Sequence, residues 1–191
     1  MKRVLLDVDG VLADFLTKAL EVINDAGSHN FAHEHVTDFN ICEVLGVPHM
    51  WENVRNACSQ EGFVMNLSPM LGAHQGVEAL RKHAELYCVT SPMSVPNWAF
   101  ERERWLEKHF NIKKSHVVHT EAKHVVLGDY LVDDKIENVE SWASHHPKGV
   151  GVIFDAPYNR NHVSALGNVV RARDWIDVVD FVAERTYSKA K

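Results

Sequence analysis

RVLLDVDG, residues 3–10, is a short apolar run that ends in two aspartates and a glycine. Such a run is typical of a strand buried on both faces of a parallel sheet, so residues 3–9 are predicted to form the first strand. Side chains two positions apart on a strand share a face, so Asp7 and Asp9 are predicted to converge where open α/β sheets bind their ligands. Two adjacent buried carboxylates repel each other, and a divalent cation would compensate them. Taken alone, however, such a pair is more often two solvated loop residues.

Four later apolar runs also stop at polar residues, and helical patterns separate them. The candidate strands are residues 86–90, 116–119, 130–134 and 150–155. The candidate helices are residues 76–83, 97–110 and 136–145, and a last helix from Asp174, a residue well suited to an N-cap. This alternation predicts an α/β fold, with a parallel sheet covered by helices on both faces.

Residues 15–73 interrupt the alternation of strand and helix. They begin with a helical pattern at residues 15–26 and continue as a segment rich in Asn, His and Gly without a clear strand. We therefore predict a small helical cap, residues 15–73, inserted after the first strand of an α/β core that comprises residues 1–14 and 74–191. No Gly/Ser-rich linker marks a separate second domain.

The composition restricts the class of protein. The chain has 191 residues, 46% of them hydrophobic, which is enough for one buried core and short for two domains. Its 20 Lys and Arg against 26 Asp and Glu give a net charge of −6, which argues against broad binding to nucleic acid or anionic lipid. No apolar run is long enough to span a bilayer and no signal peptide is recognisable, so we expect a soluble, cytoplasmic protein. The widely spaced Cys42, Cys58 and Cys88 are expected to be reduced core residues.

Three further polar groups follow the candidate strands. Thr90 and Ser91 close one strand, Lys123 lies in the polar stretch after the next, and Asp133 and Asp134 close a third. A hydroxyl that holds a phosphoryl group, an ammonium that neutralises it and carboxylates that bind Mg²⁺ are what phosphoryl transfer requires. Each group alone has a simpler explanation as a turn, a surface lysine or a helix N-cap. Their joint occurrence with the first aspartate pair favours a phosphoryl-transfer site.

Taken together, these motifs resemble those of a known superfamily. The four motifs of the haloacid dehalogenase (HAD) superfamily of phosphotransferases are similar to DVDGVLADF at residues 7–15, VTSP at residues 89–92, Lys123, and LVDD at residues 131–134. More narrowly, the chain resembles the 5'(3')-deoxyribonucleotidase family, with weaker matches at residues 69–73 (PMLGA) and 105–110 (WLEKHF). The similarity covers about residues 1–140 and implies a HAD-like Rossmannoid sheet.

The resemblance implies a catalytic role for each motif. Asp7 would be the nucleophile that forms an aspartyl-phosphate, and Asp9 the general acid and base that protonates the leaving alcohol and then activates water. Thr90 and Ser91 would hold phosphate oxygens, and Lys123 would stabilise the charged transition state.

The resemblance also implies a Mg²⁺ cofactor. Its ligands would be Asp7, the backbone carbonyl of Asp9 and one aspartate of the fourth motif. The family pattern favours Asp134 as the direct ligand, with Asp133 behind it, and the opposite assignment remains open at this point.

Substrate choice is expected in the cap. The family binds its nucleoside with aromatic and apolar side chains, and Phe15, Phe39, Ile41 and Trp51 match these positions. Asn40 departs from the pattern, since an aromatic residue is expected there, and it adds a polar amide in place of stacking area. Packing inside the cap is the alternative explanation for Phe39 and Trp51.

The resulting interpretation is a Mg²⁺-dependent phosphomonoesterase that hydrolyses (deoxy)nucleoside monophosphates. The alternatives are a HAD phosphatase acting on a sugar phosphate or on a polynucleotide 3'-phosphate, and a non-catalytic phosphate-binding protein. The expected partner is a small phosphomonoester, with no membrane and no stable nucleic-acid partner, and a homodimer remains open.

Two groups of polar residues receive no role. The histidines at residues 33 and 35, and at 145 and 146, lack the spacing of a metal pair on a helix. Arg102, Glu103 and Arg104 are expected to form a solvated helix face.

Overall fold

The computed structural model describes residues 2–187, in which six parallel strands form a single sheet. The strands are β1 (Lys2–Leu6), β2 (Ala84–Thr90), β3 (Val117–His119), β4 (Tyr130–Asp133), β5 (Val150–Phe154) and β6 (Val169–Ala172). Their spatial order is β3-β2-β1-β4-β5-β6. The chain therefore reverses its direction of winding between β1 and β4, and open α/β sheets bind ligands beyond the carboxyl ends of strands at such a point.

Seven α-helices accompany the sheet within the described range. They are α1 (Phe15–Gly27), α2 (Ile41–Val44), α3 (Trp51–Cys58), α4 (Ala73–Leu80), α5 (Trp98–Phe110), α6 (Ile136–His145) and α7 (Trp175–Tyr187). Val4 and Leu6 of β1 belong to a large apolar cluster with α4, α5 and α7, whereas Leu5 packs with Trp142 and Ala143 of α6. Alternate residues of one strand thus face two cores, and the predicted parallel sheet with helices on both faces is confirmed.

Most strand ends agree with the prediction to within two residues, and two larger differences remain. β1 ends at Leu6, so Asp7 and Asp9 lie in the following loop and not on the strand itself. β6 is not among the predicted strands, because its sequence VVRA is short and contains a charged residue. Three of its four residues are only partly buried in the structure. Its backbone pairing with β5 at the sheet edge defines it.

Helix positions agree more closely with the sequence. α6 coincides with its prediction, and Asp174 caps α7 by accepting the backbone N–H groups of Ile176 at 2.8 Å and Asp177 at 3.1 Å. α4 begins at Ala73, earlier than predicted, so Gly76 lies inside it. A Cβ at Gly76 would collide with the indole of Trp175, and the glycine therefore permits the close approach of α4 and α7.

The segment between β1 and α4 is helical and returns to its starting point. Asp14 donates its N–H to the carbonyl of Ser68 at 2.8 Å, and Met70 donates to Leu12 at 2.8 Å. The two ends of the segment are therefore hydrogen-bonded to each other. Ile23 of α1 lies in the same apolar cluster as the sheet, so the segment packs against the core.

Two expectations about the whole chain can also be compared with the structure. The prediction for Cys42, Cys58 and Cys88 is confirmed, because all three are buried and free. Across residues 2–187, no helix combines the length and apolar character needed to cross a membrane.

Candidate active site

The loop after β1 is a tight turn that only glycine permits at one position. The carbonyl of Val8 accepts the N–H groups of Leu12 and Ala13, both at 2.8 Å. Gly10 has φ of +79°, a conformation that side-chain-bearing residues rarely adopt. A Cβ at this position would also collide with the carboxylate of Asp134. The turn therefore brings the residues after β1 directly against those after β4.

Lys123 is buried in an ion-pair triad with two carboxylates. Its Nζ lies 2.8 Å from Oδ1 of Asp7 and 2.7 Å from Oδ2 of Asp133, and the residue is only 2% exposed. Burial alone lowers the pKa of the ammonium, but Asp133 and Asp7 outweigh burial and raise that pKa above its usual value. Lys123 is therefore a fixed positive charge beneath Asp7.

The two consecutive aspartates after β4 have different surroundings. Both oxygens of Asp133 are engaged: Oδ1 accepts the N–H of Lys135 at 2.9 Å, and Oδ2 accepts from Asn138 at 3.0 Å as well as from Lys123. Asp134 accepts the hydroxyl of Tyr158 through Oδ2. The two side chains therefore differ in how many protein donors they already satisfy.

Three carboxylates share one buried space. Asp7, Asp133 and Asp134 each offer an oxygen within 4.8 Å of the others, and all three residues are buried. Burial and the neighbouring Asp133 raise the pKa of Asp134 to about 7, and the same two causes raise the pKa of Asp7 well above its usual value. Three carboxylates against one lysine leave excess negative charge, and hard oxygen donors of this kind suit Mg²⁺. The residues therefore fit a divalent cation.

A cavity of about 560 Å³ opens above this cluster. Its wall is formed mainly by aromatic and apolar side chains from the helical segment, and its floor by polar groups at the strand ends; among the predicted site residues, it is lined by Asp7, Asp9, Phe15, Phe39, Ile41, Trp51, Thr90, Ser91 and Asp134. Phe39 is 46% exposed and Trp51 43%, so neither is a core residue of the helical segment. Such a volume is in the range of small-molecule sites.

Three predicted site residues lie outside the lining of this cavity. Lys123 and Asp133 lie beneath it, where Lys123 contacts both Asp7 and Asp133. Asn40 is exposed at the start of α2, and its backbone N–H is bonded to Asp38 at 2.9 Å. The contribution of Asn40 to substrate choice stays a prediction.

The expectation for Arg102 is wrong, because this side chain is fully buried. Its Nη2 lies 2.6 Å from Oδ1 of Asp9, and its exposure is 0%. The guanidinium lies over the rings of Trp98 at 5.0 Å and Trp105 at 5.7 Å, whose faces attract a cation. The neighbouring Glu101 is buried as well and accepts the N–H of Gly62 at 2.7 Å. α5 therefore connects the helical segment to Asp9.

Residues 1–188 match the family described as 5' nucleotidase, deoxy (pyrimidine), cytosolic type C protein. The chain belongs to this nucleotidase family. The resemblance to a deoxyribonucleotidase family, stated from the motifs, is therefore confirmed.

Individual relatives agree with this assignment. The chain is 28% identical over 180 residues to the 5'(3')-deoxyribonucleotidase of Bacillus subtilis strain 168, covering 93% of this chain and 97% of the relative. The 5'(3')-deoxyribonucleotidase of Bacillus phage SPbeta gives the same values. Among solved structures, a haloacid dehalogenase-like family hydrolase from Xanthomonas campestris aligns with a TM-score of 0.55 at 14% identity, covering 97% of this chain and 98% of that one. That likeness supports the fold.

Two residues at the site, Arg102 and Tyr158, are not identified by the sequence analysis. Arg102 follows Trp98 by four residues and precedes Trp105 by three, so all three lie on one face of the helix. This spacing is the signal from which the burial of Arg102 could have been predicted. Tyr158 lies in a loop after β5, where no periodicity or motif indicates a contact with Asp134.

Proposed function

We propose that the protein is a Mg²⁺-dependent phosphatase of deoxynucleoside 5'- or 3'-monophosphates, with deoxypyrimidine nucleotides as the preferred class. The observation that carries the proposal is the buried triad of Asp7, Lys123 and Asp133 beneath a cavity with an aromatic wall. The name of the family and the names of the relatives support the nucleotide class. The family's name describes cytosolic proteins, and we extend that compartment to this chain as part of the proposal.

Asp7 is the proposed nucleophile. Its Oδ1 accepts the N–H of Val8 at 2.7 Å and contacts Lys123, which leaves Oδ2 for attack on phosphorus. In the first step, the bond from Oδ2 to phosphorus forms and the ester bond to the nucleoside breaks. Asp9 supplies the proton to the departing nucleoside oxygen. In the second step, Asp9 takes a proton from water, which attacks the aspartyl-phosphate and releases phosphate and the Asp7 carboxylate.

Asp7, the carbonyl of Asp9 and Asp134 are the proposed ligands of Mg²⁺. Both oxygens of Asp133 already accept hydrogen bonds from Lys123, Asn138 and a backbone N–H, which supports a role next to the metal ligands and not as one of them. Asp134 accepts the Tyr158 hydroxyl through Oδ2 and retains Oδ1 for the metal. When bound, Mg²⁺ would neutralise the phosphoryl oxygens and keep the carboxylates ionised. Thr90 and Ser91 are proposed to hold the phosphoryl oxygens from the end of β2.

Nucleoside recognition is proposed for the helical cap at residues 15–73. Phe15 and Trp98 meet edge to face with ring centroids 6.1 Å apart, so the wall above the phosphate site is aromatic. Aromatic rings suit stacking on a base, whereas the polar groups at the floor of the cavity suit the phosphate. The net charge of −6 supports a small substrate over a polynucleotide.

A phosphate-release screen tests this proposal. The panel contains deoxyribonucleoside and ribonucleoside 5'- and 3'-monophosphates, sugar phosphates and a 3'-phosphorylated oligonucleotide, each with Mg²⁺ and with EDTA. We expect turnover of deoxypyrimidine monophosphates that EDTA abolishes. Turnover in EDTA, or a preference for a sugar phosphate or the oligonucleotide, would contradict the proposal.

A further inference from the structure

Tyr158, in the loop after β5, contacts both the acidic cluster and the aromatic wall of the cavity. Its hydroxyl donates to Oδ2 of Asp134. Its ring meets Phe39 edge to face, with the two ring centroids 5.7 Å apart. A single side chain from the core thus bridges a carboxylate proposed to bind the metal and an aromatic residue of the cap.

The loop that carries Tyr158 is held rigidly in place. The side chain of Asn159 is buried and donates from Nδ2 to the carbonyl of Asp134 at 2.8 Å and to that of Phe154 at 2.8 Å. Arg171 of β6 donates to Oδ1 of Asn159 at 2.7 Å and to its carbonyl at 2.8 Å. The neighbouring Asn159 is therefore bonded to the backbone of Asp134, and this bond fixes Tyr158 relative to the Asp134 carboxylate.

Two neighbours, the turn at Gly10 and the hydroxyl of Tyr158, confine the carboxylate of Asp134. The turn at Gly10 passes so close that a Cβ there would collide with this carboxylate and would lie 3.1 Å from the Tyr158 hydroxyl. The Tyr158 hydroxyl occupies the hydrogen-bonding position at Oδ2 of this carboxylate. With Oδ2 directed to the hydroxyl, Oδ1 is the oxygen left for a cation shared with Asp7.

The ring of Tyr158 also supports the exposed side of the cavity. Phe39 is nearly half exposed, its ring meets that of Tyr158 edge to face, and the ammonium of Lys135 lies 4.5 Å from the centroid of the Phe39 ring. Without the tyrosine ring, Phe39 would lose its aromatic neighbour on the core side. The contact with Tyr158 therefore connects Phe39 to the loop after β5.

We propose that Tyr158 is a positioning residue with two separable roles. Its hydroxyl orients Asp134 toward Mg²⁺, and its ring holds Phe39 in place for nucleoside binding. The proposal rests on the proposed function, because it assumes that Asp134 binds the metal. Hydrogen-bond partners of ligating carboxylates fix the orientation of the ligand, and their loss typically weakens metal binding by roughly 10- to 100-fold.

The two roles are separated by two substitutions and one control. Tyr158→Phe removes the hydroxyl and keeps the ring, and Tyr158→Leu removes both. Tyr87→Phe is the matched control, because it removes a hydroxyl bonded to Glu85 at 3.1 Å and lies outside the cavity. Mg²⁺ binding is measured by isothermal titration calorimetry and by thermal shift without substrate. KM and kcat are measured for thymidine 5'-monophosphate and for p-nitrophenyl phosphate at limiting and saturating Mg²⁺.

We expect Tyr158→Phe to weaken Mg²⁺ binding by about tenfold or more, with kcat restored at saturating Mg²⁺ and KM for the nucleotide unchanged. Tyr158→Leu is expected to add a rise of about three- to tenfold in KM for the nucleotide and none for p-nitrophenyl phosphate. Tyr87→Phe should match wild type in every measurement.

Each contrary result identifies which proposal fails. Normal Mg²⁺ binding by Tyr158→Phe, in a wild type that requires Mg²⁺, overturns the role of the hydroxyl. An equal change in KM for both substrates in Tyr158→Leu overturns the role of the ring. A wild type that neither binds Mg²⁺ nor releases phosphate overturns the proposed function, and the Tyr158 proposal with it.

Discussion

Arg102 of α5 holds the carboxylate of Asp9 in a salt bridge of 2.6 Å, although the two residues are 93 positions apart in the chain. The arginine has no solvent exposure, and its Nε and Nη1 have no hydrogen-bond partner among residues 2–187. The bond to Asp9 and the two tryptophan rings therefore account for its placement. A residue in this position controls where the proposed acid and base of the reaction lies.

Removal of the Arg102 charge is expected to impair proton transfer more than phosphate binding. Arg102→Met should lower kcat for deoxynucleotides by roughly 100-fold, since a misplaced general acid loses most of its contribution. The loss should be much smaller for p-nitrophenyl phosphate, whose leaving group needs little protonation. Steady-state kinetics on both substrates test this, with Arg102→Lys expected to recover part of the rate.

The same helix offers the control for this prediction. Arg104 is exposed and its guanidinium lies over Phe100 at 5.5 Å, so Arg104→Met changes the charge without touching Asp9. It should leave both rates unchanged. Equal losses for both substrates in Arg102→Met, with a lowered melting temperature, would indicate that Arg102 only stabilises the fold.

Asp7→Asn should abolish turnover and phosphoryl transfer to the protein. An amide is neither a competent nucleophile nor a good ligand for Mg²⁺, so residual activity should be below about one per cent. Mass spectrometry of acid-quenched wild-type enzyme should find one phosphoryl group on the peptide that contains Asp7. The exposed Asp25→Asn is the control and should keep full activity. A phosphorylated peptide elsewhere in the chain would contradict the assignment of the nucleophile.

Lys123→Met should reduce stability as well as rate. Because the lysine is buried against Asp7 and Asp133, its loss leaves buried carboxylates without their cation and should cost about 3 to 5 kcal/mol in the free energy of unfolding. Urea unfolding measures this cost, and saturating Mg²⁺ should recover part of it by compensating the same charges. The rate should fall by roughly a hundredfold or more. Stability and rate equal to those of the exposed control Lys108→Met would refute this prediction.

Asp134 should make stability depend on pH when no divalent cation is present. Its pKa is raised to about 7 in the folded protein, mainly by burial, against about 3.9 in an unfolded chain. The folded state therefore binds a proton more tightly, and this stabilising contribution is lost as pH rises from about 4 through 7. In EDTA, the melting temperature of wild type should fall over this interval more steeply than that of Asp134→Asn. Identical slopes for the two proteins would contradict the prediction, and Mg²⁺ should flatten the slope of wild type.

The sequence predicted those parts of the site that follow from local pattern. Apolar runs that stop at aspartates placed Asp7 and Asp133 at the ends of β1 and β4, and the parallel topology then brought them together. Arg102 and Tyr158 could not be found in this way. Their partners are 93 and 24 residues away, and only the packing of α5 and of the loop after β5 determines those contacts.

β6 illustrates the same limit in the fold. Three of its four residues are partly exposed, and one of these is Arg171, whose guanidinium bonds to Asp155 and to the loop around Asn159. An edge strand with one such side chain lacks the continuous apolar signal of the central strands. β6 is defined by its backbone pairing with β5 and by side-chain bonds to a neighbouring loop, and neither produces a periodic pattern in the local sequence.

The last prediction is that discrimination between substrates lies in the wall of the cavity and not at its floor. Trp51→Ala and Phe15→Ala should each raise KM for deoxynucleotides by about tenfold to a hundredfold, since stacking on a base is worth roughly 1 to 3 kcal/mol per ring. KM for p-nitrophenyl phosphate should change much less, because that substrate presents little surface to the wall. Phe100→Ala is the control, with a side chain 60% exposed outside the cavity. Asn40 is exposed outside the lining of the cavity, so Asn40→Ala should alter the ranking of bases only if its amide bonds to the edge of a bound base.

The kinetics of these variants show whether the wall of the cavity binds the nucleoside or only excludes water from the phosphate site. If the wall only excludes water, Trp51→Ala and Phe15→Ala will lower turnover of the nucleotide and of p-nitrophenyl phosphate by the same factor at unchanged melting temperature. If the wall reads the nucleoside, the nucleotide alone will lose affinity and kcat at saturation will be retained. The second outcome is expected, because Trp51 and Phe15 both line the cavity, and Trp51 is 43% exposed there and so presents free ring surface to a ligand.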